Sequence, residues 1–238
     1  YVLVWLAMTL PPLVIVSLIA SIVLGAFLIH NLRRFWRDFR FADYGLLVFS
    51  ILFPIVYVIL KDSTLYDGIR HFLFILPPIA VVAALSLNQV LKISVKSWFQ
   101  VGVWTAIVFL SAMAVIPMFR LHPYQYVYFN PLIGGLEGAD GEFETEYWGT
   151  AKREAVSLLE KHIRENHPPD YRPRVASSMP KLLSVYFFPK NWIFEQNPKK
   201  ADFYVSVTRS NQDQAVKGET IVRVERDGAV FAVVKKLD

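Results

Sequence analysis

The sequence predicts a multi-span α-helical membrane domain of about four transmembrane helices, followed by a small α/β extracytoplasmic domain. Three observations predict it. Of 238 residues, 54% are hydrophobic and 19% charged, which is more apolar than an average soluble domain. The apolar residues fall in blocks: no Asp, Glu, Lys or Arg precedes Arg33, and Tyr44–Leu60, Phe72–Leu91 and Ser97–Phe119 are also free of them. After Phe119 the blocks give way to short alternating runs separated by turn residues.

A helix that crosses a bilayer needs roughly 20 apolar residues. The blocks therefore predict spans near 10–30, 44–60, 72–91 and 98–117, the second being the shortest. The run that opens the chain at Tyr1 has no basic n-region and no small-residue cleavage site, so it does not read as a signal peptide. The chain is expected to be a fragment of a longer membrane protein.

Orientation follows from Lys and Arg in short loops. Residues 30–43 carry four Arg and residues 92–96 two Lys, whereas in loop 61–71 Lys61 and Arg70 are offset by Asp62 and Asp67. The first two loops are expected to be cytoplasmic. Loop 61–71 and everything after Phe119 then face the other side, which in a bacterium is the periplasm or exterior. The expected location is a bacterial inner or plasma membrane, with the lipid bilayer as the first partner.

Residues 1–119 hold 8 basic and 4 acidic residues, a net +4, and residues 120–238 hold 17 and 16, a net +1. The basic excess thus sits where topology needs it, and a nucleic-acid partner is not expected. With no cysteine, disulfides and thiolate metal sites are excluded.

In the tail, residues 120–149 read as an ordered loop, aromatic and Gly-rich and then acidic. Residues 150–166 carry apolar residues at 155, 156, 158, 159 and 163, spacing that predicts an amphipathic helix. "HPPDYRP" ends it, since proline cannot continue a helix. A strand is predicted over 174–178, a short helix over 180–188 with Pro180 at its start, and strands over 192–196, 201–208 and 220–226. Asp227-Gly228 joins the last of these to 229–237, a strong hairpin signal. The domain boundaries implied are 1–119, 120–149 and 150–238.

Three groups of residues are candidates for chemistry. Asp67, Arg70 and His71 stand at the start of the third span. A helix N-terminus offers N–H groups and partial positive charge, and an Arg fork grips phosphate through two bonds. The competing reading is an interface anchor, with Asp67 paired to Arg70 at i,i+3. Second, His122, Tyr124, Tyr126, Tyr128 and Asn130 alternate in sequence. If extended, they share one face, suiting a sugar or lipid headgroup, with an interfacial tyrosine belt as the alternative. Gly134 and Gly135 follow as a tight turn or a close backbone approach. Third, Glu137, Asp140, Glu142, Glu144 and Glu146 form an acidic run. It could bind a divalent cation or serve acid–base chemistry, but its spacing is not that of an EF-hand, and a solvated acidic loop is the simpler reading. No P-loop, GxGxxG, HExxH or GxSxG occurs. No span carries a charge at its centre, which disfavours a transporter.

"LYDGIRHFLFILPP", then "HPYQYVYFNPLIGGLEGA", "FETEYWG" and a closing α/β tail together resemble the C-terminal half of bacterial GT-C glycosyltransferases. These membrane proteins are similar to dolichyl-phosphate-mannose–protein mannosyltransferases and to the lipid A aminoarabinose transferase. The likeness is good over about residues 60–160, moderate in the tail and generic in the first two spans. It implies transfer of a sugar from a polyprenyl-phosphate donor to a protein, lipid or polysaccharide acceptor on the outer face. It also implies that the catalytic acid lies upstream of Tyr1, so no carboxylate in 137–146 is promoted to that role. Arg70, with His71 second, would hold the donor phosphate. The Tyr-rich segment would line the cavity entrance or brace the tail. Glu146, Tyr147 and Trp148 would form the seam between loop and domain. The resemblance names no cofactor, and a divalent metal is left open. The alternative is a non-catalytic membrane-anchored module of envelope assembly whose tail binds a partner or glycan.

Overall fold

The computed structural model describes residues 1–30, 40–66, 68–93 and 97–237, and among these the side chains of 27–30 and 40–42 are left aside. Asp67, most of the Arg-rich 30–43 loop and the loop at 94–96 lie outside the described residues. The described chain divides into two compact units, residues 1–117 with 129–133, and residues 118–128 with 134–238. Segment 120–149 thus contributes to both units.

The first unit is helical: α1 (Val2–Thr9), α2 (Pro12–His30), α3 (Arg40–Leu60), a 3₁₀ segment Arg70–Ile75 leading directly into α4 (Leu76–Ile93), and α5 (Ser97–Arg120). The span expected over 10–30 falls on α2, and α1 precedes it: the two meet at 119° across a short break. The cause is Pro11-Pro12. A proline pushes the residue before it out of the helical region, and Leu10 is extended, at φ −70° and ψ 137°. Pro12 then opens α2, where a missing N–H costs nothing.

The other three helices, over Asp43–Leu60, Arg70–Ile93 and Ser97–Arg120, are long and apolar enough to cross a membrane. Little of them is covered. A small core joins Val2, Leu6, Leu10, Ile55, Phe72, Ile75 and Ile79, while α5 buries only Ala114 and exposes Trp98, Val101, Trp104, Val108 and Phe109.

The second unit is a mixed five-stranded sheet with helices. Its strands are β1 (Arg174–Ser177), β2 (Ile193–Phe194), β3 (Phe203–Val207), β4 (Glu219–Arg226) and β5 (Ala229–Lys236), in spatial order β2-β1-β3-β5-β4. β1 runs parallel to β2 and β3, and β5 runs antiparallel to β3 and β4. All five residues of β3 are buried, as the central strand of a sheet requires. The β4–β5 hairpin turns at Asp227 (φ 43°) and Gly228 (φ 82°), the two positive dihedrals of a type I′ turn.

Three helices complete this unit: α6 (Gly135–Ala139), α7 (Ala151–Asn166) and α8 (Lys181–Val185). α7 packs on β3, β4 and β5 and buries Ala151, Lys152, Ala155, Val156, Leu159 and Ile163, the 3.6-residue stripe that periodicity predicts. Gly134 sits left-handed at φ +86°, and a Cβ there would come 3.3 Å from Cα of Gly138. Both the dihedral and the space demand glycine.

Candidate functional site

In the first unit, Arg70 is the first residue of the 3₁₀ segment that becomes α4. It is half-buried, and its guanidinium carbon lies 5.5 Å from the centre of the Tyr66 ring. His71 is exposed, with its ring 5.9 Å from that of Tyr66. The Tyr1 hydroxyl donates to the Tyr66 carbonyl at 2.7 Å, which ties the start of α1 to this loop. A cation over an aromatic face gains roughly 0.5–2 kcal/mol, more as water is excluded. Tyr66 therefore orients Arg70 at the mouth of the helix, next to an imidazole open to solvent. Asp67, the expected ion-pair partner, lies outside the described residues.

The alternating aromatic segment does not present one extended face. Gln125–Val127 forms a 3₁₀ turn, which changes the direction of successive side chains. Tyr124 is buried, and its hydroxyl donates to Glu154 Oε2 at 2.7 Å. The same oxygen accepts from Arg226 Nη2 at 2.8 Å, and the Arg226 guanidinium carbon lies 5.1 Å from the Tyr124 ring centre. Tyr126 donates to Glu146 and shares a 2.7 Å hydrogen bond with Thr150 Oγ1. Burial, reinforced by the adjoining carboxylates, pushes both phenols well above the usual tyrosine range.

Tyr128 is buried, and burial raises its phenol too. Among the described residues its hydroxyl has no hydrogen-bond partner. His122 is exposed, with Nδ1 2.9 Å from Gln125 Nε2, and its carbonyl accepts from Arg226 Nε at 3.3 Å.

Asn130 belongs to the first unit. It is fully buried, and its amide donates to the carbonyls of Ala7 (2.7 Å) and Leu10 (2.9 Å). Its backbone N–H donates to Met8 at 2.8 Å. These are carbonyls that the broken end of α1 leaves without helical donors, so Asn130 acts as a cap for the α1–α2 break and is closed to a ligand.

Glu146 is likewise closed, at 1% exposure. Oε2 accepts from Gly149 N at 2.8 Å, and Oε1 from Thr150 N at 2.8 Å, Thr150 Oγ1 at 3.1 Å and Ala151 N at 3.4 Å. The carboxylate thus fills the N-terminus of α7, where orphan N–H groups and the helix dipole favour negative charge. Tyr147 packs edge-on against Tyr126 at 5.5 Å, and its carbonyl accepts from Arg209 at 3.4 Å. Trp148 is half open to solvent.

No family model, curated protein or solved structure matches this chain. Its function has to be argued from the side chains themselves.

The rest of the acidic run separates from Glu146. Asp140, Glu142 and Glu144, joined by Asp213, line a polar cavity of about 330 Å³. Glu144 Oε1 accepts from Ser210 N at 3.0 Å, and burial raises the Asp140 carboxyl. Among the described residues, no three His, Asp or Glu side chains come together in a way that could hold a metal ion.

Sequence reasoning missed Lys152, Glu154 and Arg226. Lys152 is fully buried, and Nζ donates to the carbonyls of Ser178 (2.6 Å) and Pro180 (3.1 Å) and to Ser177 Oγ (3.4 Å). Burial pushes its ammonium down to about 8, against the pull of Glu146. A signal was present. Position 152 lies three and four residues before Ala155 and Val156, on the apolar stripe of α7. A charge on that stripe needs a buried partner. For Glu154 and Arg226 nothing local points to the pairing, since 72 residues separate them.

The second-unit network is therefore a closed structural node. Arg70 and His71 stand apart from that network, at the start of the segment that becomes α4.

Proposed function

We propose that this chain is the C-terminal portion of a GT-C-type membrane glycosyltransferase that takes a sugar from a polyprenyl-phosphate donor. Arg70 holds the donor phosphate and His71 assists, on the extracytoplasmic side of a bacterial inner membrane. The observation that carries the reading is the combined pattern "RHF", "HPYQYVYFNPLIGG" and "EYWG".

Two features of the fold support it. Helices α3 to α5 expose apolar side chains along their length. Such surfaces are unfavourable in water and need lipid or protein around them. Arg70 is also half-buried at a helix start with its guanidinium set against Tyr66. The fork geometry suits a phosphate diester or monoester, and its charge offsets the one that grows on the phosphate as the sugar leaves. The acceptor is a protein, a lipid or a polysaccharide, and the acid that activates it lies upstream of Tyr1.

The test is transfer from radiolabelled polyprenyl-phosphate sugars by the complete parent protein in membranes, at matched protein level. Arg70→Ala is expected to lower product at least tenfold, the loss of about 1.4 kcal/mol. Arg70→Lys restores only part of it, because a point charge lacks the two-bond grip. Full transfer by Arg70→Ala would reduce Arg70 to a helix anchor. No transfer from any donor in the panel would favour the non-catalytic assembly module.

A further inference from the structure

The second unit carries an apolar surface that its own fold leaves open. Leu182 is 80% exposed, Tyr186 81%, Met179 60% and Trp148 49%. They stand on adjoining segments. A Cβ on Gly149 would lie 3.0 Å from Leu183 Cδ1, which places the Trp148–Gly149 turn against α8. Lys152 holds the carbonyls of Ser178 and Pro180, fixing the start of α7 to the turn that carries Met179.

The exposure is imposed by packing. Ser184 is fully buried and shares a 2.6 Å hydrogen bond with the buried Ser177. In a helix, residues two positions away on either side point about 200° round, to the opposite face. With Ser184 turned inward, Leu182 and Tyr186 must face outward.

Charge indicates what covers them. From Val175 to Phe194 the chain has Lys181 and Lys190, and no Asp or Glu. Arg153 flanks the patch, its guanidinium carbon 5.9 Å from the Phe187 ring centre. Exposed Leu and Met rimmed by Trp, Tyr and Lys/Arg is the composition of segments that lie in the headgroup layer, and the basic excess complements anionic lipid.

We propose that the Trp148, Met179, Leu182 and Tyr186 surface docks onto the headgroup region of the bilayer, with the basic residues around it contacting anionic lipid. This rests on the reading of α3 to α5 as membrane spans. It gives the second unit a membrane-bound face, with Trp148 as an interfacial anchor rather than a substrate contact.

The sequence contains no cysteine, so single Cys variants of the full chain can each carry one spin label. Leu182→Cys and Tyr186→Cys replace exposed side chains and leave the core intact. Phe109→Cys on α5 reports the span, and Lys217→Cys on an exposed loop reports water. The labelled chains are placed in vesicles of phosphatidylcholine with a minority of phosphatidylglycerol, and label collisions with oxygen and with a water-soluble nickel chelate are measured.

At Leu182 and Tyr186, oxygen access above nickel access is expected, shifted toward the Phe109 values and away from Lys217. Omitting phosphatidylglycerol or raising salt should move both labels toward the Lys217 values. Nickel access equal to that of Lys217 overturns the proposal. So does exclusion of both reagents, which means that protein covers the patch. Nickel access at Phe109 would overturn the span reading and the docking together. Lipid-like values at Phe109 alone would leave the spans standing and remove only the docking.

Discussion

Replacing Glu146 by glutamine preserves the shape of the side chain and changes one oxygen into a donor. The crowded oxygen, which accepts from Thr150 N, Thr150 Oγ1, Ala151 N and Tyr126, can stay an acceptor in the amide. The other position then becomes an NH₂ that faces the Gly149 N–H, now 2.8 Å from Oε2. Two donors meet where a donor met a carboxylate. An orphaned buried N–H costs about 1–3 kcal/mol, and removing negative charge from a helix N-terminus costs about 0.3–2 kcal/mol more. The start of α7 should therefore open more readily by about 1–5 kcal/mol. Since 1.4 kcal/mol is about tenfold, amide hydrogen exchange across residues 146–156 of the full chain should accelerate by at least several-fold. Glu142→Gln, at an exposed position in the same acidic run, serves as the control and should change nothing there. If Glu146→Gln left exchange in this segment at the wild-type rate, the assignment of Glu146 as the cap that holds α7 would be wrong.

The remaining predictions concern buried groups in both units. Lys152, pushed down to about 8 from 10.5, is neutral in the fold and charged in the unfolded chain between those values. The unfolded chain then binds more protons, so this lysine's penalty is full below pH 8 and eases as pH rises toward 10.5. Urea titrations between pH 7 and 9.5 should show second-unit stability rising relative to Lys152→Met, which lacks this term; parallel curves would refute it. Tyr124 and Tyr126, raised by burial, act with the opposite sign: unfolded phenols ionise above about pH 10 while folded ones stay protonated. Asn130→Ala removes the donors to Ala7 and Leu10 carbonyls and should destabilise the α1–α2 corner by about 1–3 kcal/mol per orphaned carbonyl. Faster proteolysis or a lower melting temperature in detergent checks this, and an unchanged melt would contradict it.

The sequence by itself determined what depends on near neighbours. Charge-free blocks locate α3, α4 and α5, because apolar length is a local property. The stripe at 155, 156, 159 and 163 gives α7, and Asp227-Gly228 gives the hairpin, because each follows from backbone geometry over a few residues. Tertiary structure decided what depends on residues far apart in the chain. The alternation of Tyr124, Tyr126 and Tyr128 resembles a strand face, yet Tyr124 goes to Glu154, 30 residues away, and Tyr126 to Glu146, 20 away. A buried phenol takes whichever acceptor the fold brings to it, and a local period cannot name that acceptor. Asn130 reaches back more than a hundred residues to carbonyls freed by Pro11 and Pro12. Neither the break at Pro11-Pro12 nor the group that satisfies it follows from the apolar length of the run before Arg33. The outward face of α8 is of the same kind. "KLLSV" looks like core until the Ser184–Ser177 pair fixes which side is inside, because a short helix carries too few residues to declare its own buried face.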